Sequence, residues 1–185
     1  PDQFALIKNA LPEIDQICED YAAKHHLPGY SYGIILDGKL FHSGTGGVAD
    51  IDTGQPVTIH SMFRIASMTK SFTAMAILKL RDEGKLRLDD PIKYYIPAFQ
   101  KNPLTQDEHP ITIRDLLTHG SGLPFDDPWA DRLLDISESD FDRLIEDGFS
   151  FSNPAGTSYE YSSTGYALLG KIITKVSGVS FESYI

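Results

Sequence analysis

Cysteine is nearly absent. Cys18 is the only one in 185 residues, so no disulfide can staple this chain to itself, and cysteine usage leaves the redox compartment open. Long hydrophobic runs are missing too: nothing approaches the roughly 20 apolar residues of a membrane-spanning helix. Positive charge is scarce, with 16 Lys and Arg against 26 Asp and Glu and a formal net charge of −10. A chain this acidic does not hold nucleic acid by general attraction to phosphate, so no nucleic-acid partner is expected. Internal repeats and low-complexity linkers are absent. The six histidines show no H-x-x-x-H spacing, and His25-His26 reads as a solvated helix end. No basic-then-apolar leader opens the chain at Pro1, and Phe181 to Ile185 reads as the middle of a helix, so a longer parent chain is expected.

What is present suffices for one or two small domains with a real core. Pro12 to His25 patterns as an amphipathic helix with Ile14, Ile17, Cys18 and Tyr21 on one face and Pro12 in its first turn. Tyr30–Leu36 and Lys39–Gly47 read as strands of a hairpin turning at Asp37-Gly38. Gly44 to Ala49 fits the letters G-x-G-x-x-A, but a turn rather than a helix follows, which favours a bulged strand end over a dinucleotide cradle. Thr58 to Ile65 reads as extended. Further helices are expected over Ser67–Glu83, closed by Gly84, from an N-cap at Thr112 to Thr118, from a cap at Ser139 to Asp147, and over Tyr166–Val176, closed by Gly178. Phe125 to Asp135 is an acidic loop whose carboxylates (Asp126, Asp127, Asp131, Asp135) read as a solvated face rather than a metal site, and Trp129 either lines a cleft or anchors that loop. His119, in the tight loop His119-Gly120-Ser121-Gly122, reads as a hydrogen-bonding structural residue.

The stretch Phe63 to Leu80 organises the rest. Ile65, Met68, Phe72, Met75, Ala76 and Leu80 recur at three- and four-residue intervals, which predicts a buried helical face. Ser67 stands where the helix starts, a place where serine often serves only as an N-cap. Lys70 follows three residues later and shares its face. A serine hydroxyl becomes a nucleophile when a base or cation activates it, and a helix start offers N–H groups and partial positive charge for an oxyanion. A second candidate is Tyr161 in Tyr161-Ser162-Ser163, between a turn and a helix start. A nearby lysine favours the phenolate, and a phenolate beside Ser67 is a general base. The alternatives are a solvated lysine and a buried turn aromatic.

Four blocks occur in order: F-R-I-A-S-M-T-K-S-F-T-A, E-G-K-L-R-L-D-D-P, I-T-I-R-D-L-L-T-H-G-S-G-L-P and N-P-A-G-T-S-Y-E-Y-S-S-T-G-Y-A-L-L-G. Together they closely resemble the serine β-lactamase and penicillin-binding protein family, of which S-x-x-K is one signature, in its class C, D-alanyl-D-alanine carboxypeptidase and esterase branch. The resemblance implies a β-lactamase/transpeptidase-like fold, α/β plus all-α, incomplete here. It implies an N-terminal part of the sheet domain over residues 1–66 and a mainly helical domain over 67–185. Ser67 then corresponds to the acylated nucleophile, Lys70 to the lysine that assists proton transfer, and Tyr161 to the general base that later protonates the leaving group. The Ser67 N–H would form half of the oxyanion hole. No cofactor and no metal are implied, a small-molecule or peptide substrate is, and the location implied is periplasmic or extracellular, with a cytoplasmic one left open.

Two departures stand out. Ser163 occupies the asparagine position of the family's Y-x-N and is expected to bind substrate with one shorter hydroxyl. The family's later K-T-G or H-x-G triplet has no counterpart after Tyr161; His42-Ser43-Gly44 fits the letters but precedes Ser67. The C-terminal half of the sheet is therefore expected in a segment outside this chain. Set against a serine hydrolase acting on a β-lactam, a D-Ala-D-Ala-type peptide or a small ester are a slowly acylated sensor and a non-enzymatic scaffold on the same fold.

Overall fold

The computed structural model describes residues 3–100, 103–126 and 136–185, and it divides into two compact units, Pro1–Arg64 and Ile65–Ile185. In the first, helix α1 spans Gln3–Lys24. It begins nine residues before the proline expected in its first turn, so Pro12 is interior. A proline there has no N–H to give the carbonyl four residues back; the upstream run is rich in good helix formers and free of glycine, and it sustains the helix. The inward stripe is Ile7, Leu11, Ile14, Cys18 and Ala22, whereas Ile17 and Tyr21, expected to share it, are exposed.

Strands β1 (Gly29–Leu36) and β2 (Lys39–Asp50) form the antiparallel hairpin, with β3 (Gln55–Pro56) beside β2. Asp37 and Gly38 both have positive φ, 50° and 74°, the left-handed pair that a two-residue hairpin loop with native strand twist requires. Strand β2 runs past Gly47 with a register shift between Val48 and Asp50, and a third strand follows it. The glycine-rich letters therefore lie in a bulged strand with no helix to receive a pyrophosphate. Asp15 of α1, Tyr32 of β1 and His42 of β2 join in one polar cluster: the Tyr32 hydroxyl donates to Asp15, and His42 Nε2 lies 2.9 Å from the same carboxylate.

The second unit is helical. A single 3-10 turn, Ala66–Met68, leads into α2 (Thr69–Asp82). After it come α3 (Ile113–Leu117), α4 (Glu138–Asp147), α5 (Ser163–Ser177) and α6 (Phe181–Tyr184). Helix α5 is central. Its Leu168, Leu169, Ile172 and Ile173 are fully buried with Ile77 and Leu80 of α2, Ile113 and Leu116 of α3, Leu123 of the loop after α3, and Ile145 of α4. Burial of each such side chain stabilises by roughly 1.5–3 kcal/mol.

The inward face of α2 is Thr73, Ala76, Ile77 and Leu80. Met68, Phe72 and Met75, expected there, are exposed at 63%, 45% and 56%. The helix carries two apolar stripes, and periodicity alone does not rank them. Thr73 takes the inner one because its hydroxyl reaches the Thr69 carbonyl at 3.4 Å, which removes the cost of burying it.

Thr112 caps α3 in a reciprocal capping box with Asp115: the Asp115 N–H donates to Thr112 Oγ1 at 3.2 Å and the Thr112 N–H to Asp115 Oδ2 at 2.8 Å. Helix α4 is capped by Ser137 rather than Ser139, through a 3.1 Å bond from the Asp140 N–H. Asp127, Trp129, Asp131 and Asp135 lie outside the described residues.

Candidate active site

All four residues singled out in the sequence converge within the second unit. Ser67 sits in the 3-10 turn just before α2, and its hydroxyl caps nothing: the α2 N-cap residue is Met68, with no side-chain cap bond. Ala66, immediately ahead, holds φ +45°. That left-handed backbone costs a residue with a Cβ about 1–2 kcal/mol and turns the chain sharply at the serine.

Ser67 Oγ lies 2.5 Å from the Tyr161 hydroxyl. Lys70 Nζ donates to Ser67 Oγ at 3.2 Å and to Ser163 Oγ at 3.2 Å. It also sits 4.7 Å from the centre of the Tyr161 ring and 5.6 Å from that of Tyr166. One amine thus touches both hydroxyls and faces two aromatic rings, an arrangement that orients the serine toward the phenol. Ser163, the first residue of α5, reaches Lys70 although serine is shorter than asparagine.

Behind these residues lie two that the motif reading left out of the chemistry. His119, at φ +57°, accepts the Ser162 N–H on Nδ1 at 3.1 Å. Its ring packs 4.6 Å from the Tyr161 ring and 5.1 Å from that of Tyr166. Burial, followed by the Lys70 charge, pushes its pKa down, which favours the neutral ring that acceptance on Nδ1 requires. The structural role expected of His119 matches these contacts.

Asp126, read as part of a solvated acidic face, is instead a half-buried cap on α5. Its carboxylate accepts the Ser163 and Thr164 N–H groups at 2.6 Å each and the Ser162 hydroxyl at 3.1 Å. Burial raises its pKa, but these hydrogen bonds from Thr164, Ser163 and Ser162 prevail and the net shift is downward. A sequence signal for it existed: the first turn of α5 has no acidic residue of its own, so the positive end of that helix calls for a carboxylate from elsewhere. Glu160 similarly ties the turn to its neighbours, accepting from the Phe125 N–H at 2.9 Å and Asn153 Nδ2 at 2.8 Å.

Among the described residues no group of three or more His, Cys, Asp or Glu side chains converges as a metal site. The groups that do converge are a serine hydroxyl, an amine and a phenol.

The family model described as Beta-lactamase matches residues 14–185. The chain is 37% identical over 182 residues to protein flp of Staphylococcus aureus (strain N315), with 97% of this chain aligned to 36% of that protein. The octameric penicillin-binding protein homologue from Pyrococcus abyssi superimposes with a TM-score of 0.78 at 34% identity, over 94% of this chain and 41% of its own. A class C β-lactamase superimposes with a TM-score of 0.75 at 28% identity, over 92% of this chain and 45% of its own. The chain therefore spans little more than a third of the length of the curated relative it matches. With the β-lactamase/transpeptidase-like fold of its structural neighbours and a family match over nearly its whole length, this chain belongs to the β-lactamase family.

Proposed function

We propose that the protein is a serine hydrolase that acts on an amide or ester carbonyl through an acyl-enzyme at Ser67. The observation that carries this reading is the 2.5 Å contact between Ser67 Oγ and the Tyr161 hydroxyl, with Lys70 bonded to the same serine at 3.2 Å.

The steps follow from that geometry. Tyr161, as phenolate beside the Lys70 ammonium, takes the Ser67 proton while Oγ bonds to the substrate carbonyl carbon. The carbonyl π electrons move to oxygen, and the positive end of α2 faces the resulting oxyanion, with the Ser67 N–H as a donor. Collapse of the tetrahedral intermediate breaks the bond to the leaving group, which receives the proton held by Tyr161. The ester on Ser67 is then attacked by water, Tyr161 again accepting the proton, and the carboxylic acid departs as Ser67 recovers its hydrogen. Ser163 keeps Lys70 aimed at the serine and presents its hydroxyl to the substrate amide or ester. β-Lactams, D-Ala-D-Ala-type peptides and small esters all contain the carbonyl this sequence needs. That the chain's relatives include penicillin-binding proteins and β-lactamases supports a substrate of that kind.

Labelling the full-length protein with a fluorescent penicillin and with a fluorophosphonate tests the reading. The parent is expected to label and Ser67→Ala to remain unlabelled; equal labelling of the two overturns it. Steady turnover after the first equivalent identifies an enzyme, and a single stoichiometric burst identifies a sensor on the same site.

A further inference from the structure

The turn carrying Tyr161 is held in an unusual way. Four consecutive amides at the start of α5 are all taken by side chains. The Ser162 N–H goes to His119 Nδ1, the Ser163 and Thr164 N–H groups to the two oxygens of Asp126, and the Gly165 N–H to Ser162 Oγ at 3.2 Å. A helix start normally needs one such cap. Here two side chains from the loop 119–126 fix three successive residues, which follow Tyr161 directly and include Ser163, whose hydroxyl accepts from Lys70.

We propose that His119 and Asp126 are positioning residues for the acylation described above: together they clamp the backbone of residues 162–164, and this seats Tyr161 on Ser67 and Ser163 on Lys70. The inference rests on that reading of the site. Neither residue touches the reacting atoms. Asp126 acts as an acceptor for two N–H groups and one hydroxyl, which only a carboxylate can satisfy at once. His119 acts as an acceptor for one N–H and as a flat wall against the Tyr161 ring.

The two halves of the clamp respond differently to acid. A protonated His119 carries hydrogen on both nitrogens and can no longer accept from Ser162. It would also bring a second positive charge toward Lys70. The groups facing it are the rings of Tyr159, Tyr161 and Tyr166, the Lys70 ammonium, which opposes its protonation, and the Asp126 carboxylate, which favours it. Its lowered pKa keeps the clamp closed at neutral pH and opens it as the medium turns acidic.

The test is the pH dependence of acylation in the full-length protein, with His119→Asn, His119→Ala and Asp126→Asn. Asparagine places a non-titrating acceptor near the Nδ1 position. His119→Asn is expected to keep most of the neutral-pH rate and to lose the acid limb that the parent shows. His119→Ala is expected to be slow at every pH. Asp126→Asn puts a donor against one N–H and is expected to slow acylation about 100-fold, the effect of an ångström-scale misplacement, with little change in KM. Lys70 and Tyr161 remain in all three variants, so an acid limb shared by parent and His119→Asn belongs to them and overturns the role of His119. Acylation by Asp126→Asn at the parent's rate overturns the role of Asp126.

A crystallographic readout stands apart from activity. The contact between Tyr161 and Ser67 is expected to lengthen in Asp126→Asn while α5 stays folded; an unchanged contact overturns the clamp. A parent that fails to label at Ser67 refutes the hydrolase reading, and this distance still decides whether the clamp exists.

Discussion

Ser67 and Tyr161 stand 94 positions apart in the chain, yet their oxygens are 2.5 Å apart. Each residue lies two positions before a helix, α2 and α5 respectively, and the two helices share one buried core. The first expectation concerns this pair. Tyr161→Phe removes the phenol but keeps the ring against His119. Acylation is expected to slow by about 100- to 10,000-fold, the usual contribution of general-base catalysis, with the thermal midpoint little changed. Stopped-flow labelling and a melting curve on the same preparation check both halves.

Ser163→Ala removes one of the two hydroxyls holding Lys70. Loss of one hydrogen bond to a charged group costs about 1.5–3 kcal/mol, so acylation is expected to fall by roughly 10- to 100-fold. Ser163→Asn restores a partner and adds amide donors. It is expected to raise kcat/KM for amide substrates relative to esters, measured on a matched amide and ester pair.

The core expectation falls on α5. Ile172 is fully buried, and Ile172→Ala is expected to destabilise by about 2–5 kcal/mol, read from denaturant midpoints. Gly122 is a second sensitive point. It holds φ +78°, and a Cβ there would sit 2.0 Å from the Asn153 carbonyl oxygen. Gly122→Ala is expected to cost more than a buried Gly→Ala of ordinary backbone and to disturb the loop that carries His119 and Asp126.

The polar cluster of the first unit gives a pH expectation. Hydrogen bonds from Tyr32 and then His42 hold the Asp15 carboxyl below its usual range. The stabilisation is therefore complete above the unfolded aspartate pKa and is lost as pH falls through the lower folded value. The bond to Asp15, followed by burial, pushes Tyr32 up to about 12, so its share is complete below the ordinary tyrosine range and is lost as pH rises through that value. Amide exchange across β1 and β2 is expected to quicken at both extremes, and Asp15→Asn is expected to flatten both limbs.

Much of this was legible in the sequence where one residue type has one physical use. Asp37-Gly38 predicts its hairpin because few other pairs accept left-handed backbone. Thr112 and Gly178 mark helix ends for similar reasons, and the ordered motif blocks identify the family. Legibility fails where two options share one pattern. Both stripes of α2 are apolar at helical spacing, and only tertiary packing selects Thr73 and Ile77 over Phe72 and Met75. Ser137 and Ser139 are equally good caps by composition. Pro12 signals a helix start by local rules, and the helix formers upstream overrule it. Asp126 is the informative miss: charge beside charge reads as solvated, while its role depends on a helix that begins 37 positions later.

One consequence of Asp126 reaches beyond the clamp. By closing over the start of α5 it occupies what would otherwise be an attractive landing place for an anion. The small cavity beside it, about 90 Å³, is lined by Leu123, Pro124, Phe149 and Thr164. With the N–H groups of Ser162 to Gly165 already spent on side chains, a second anion finds no free donor among them.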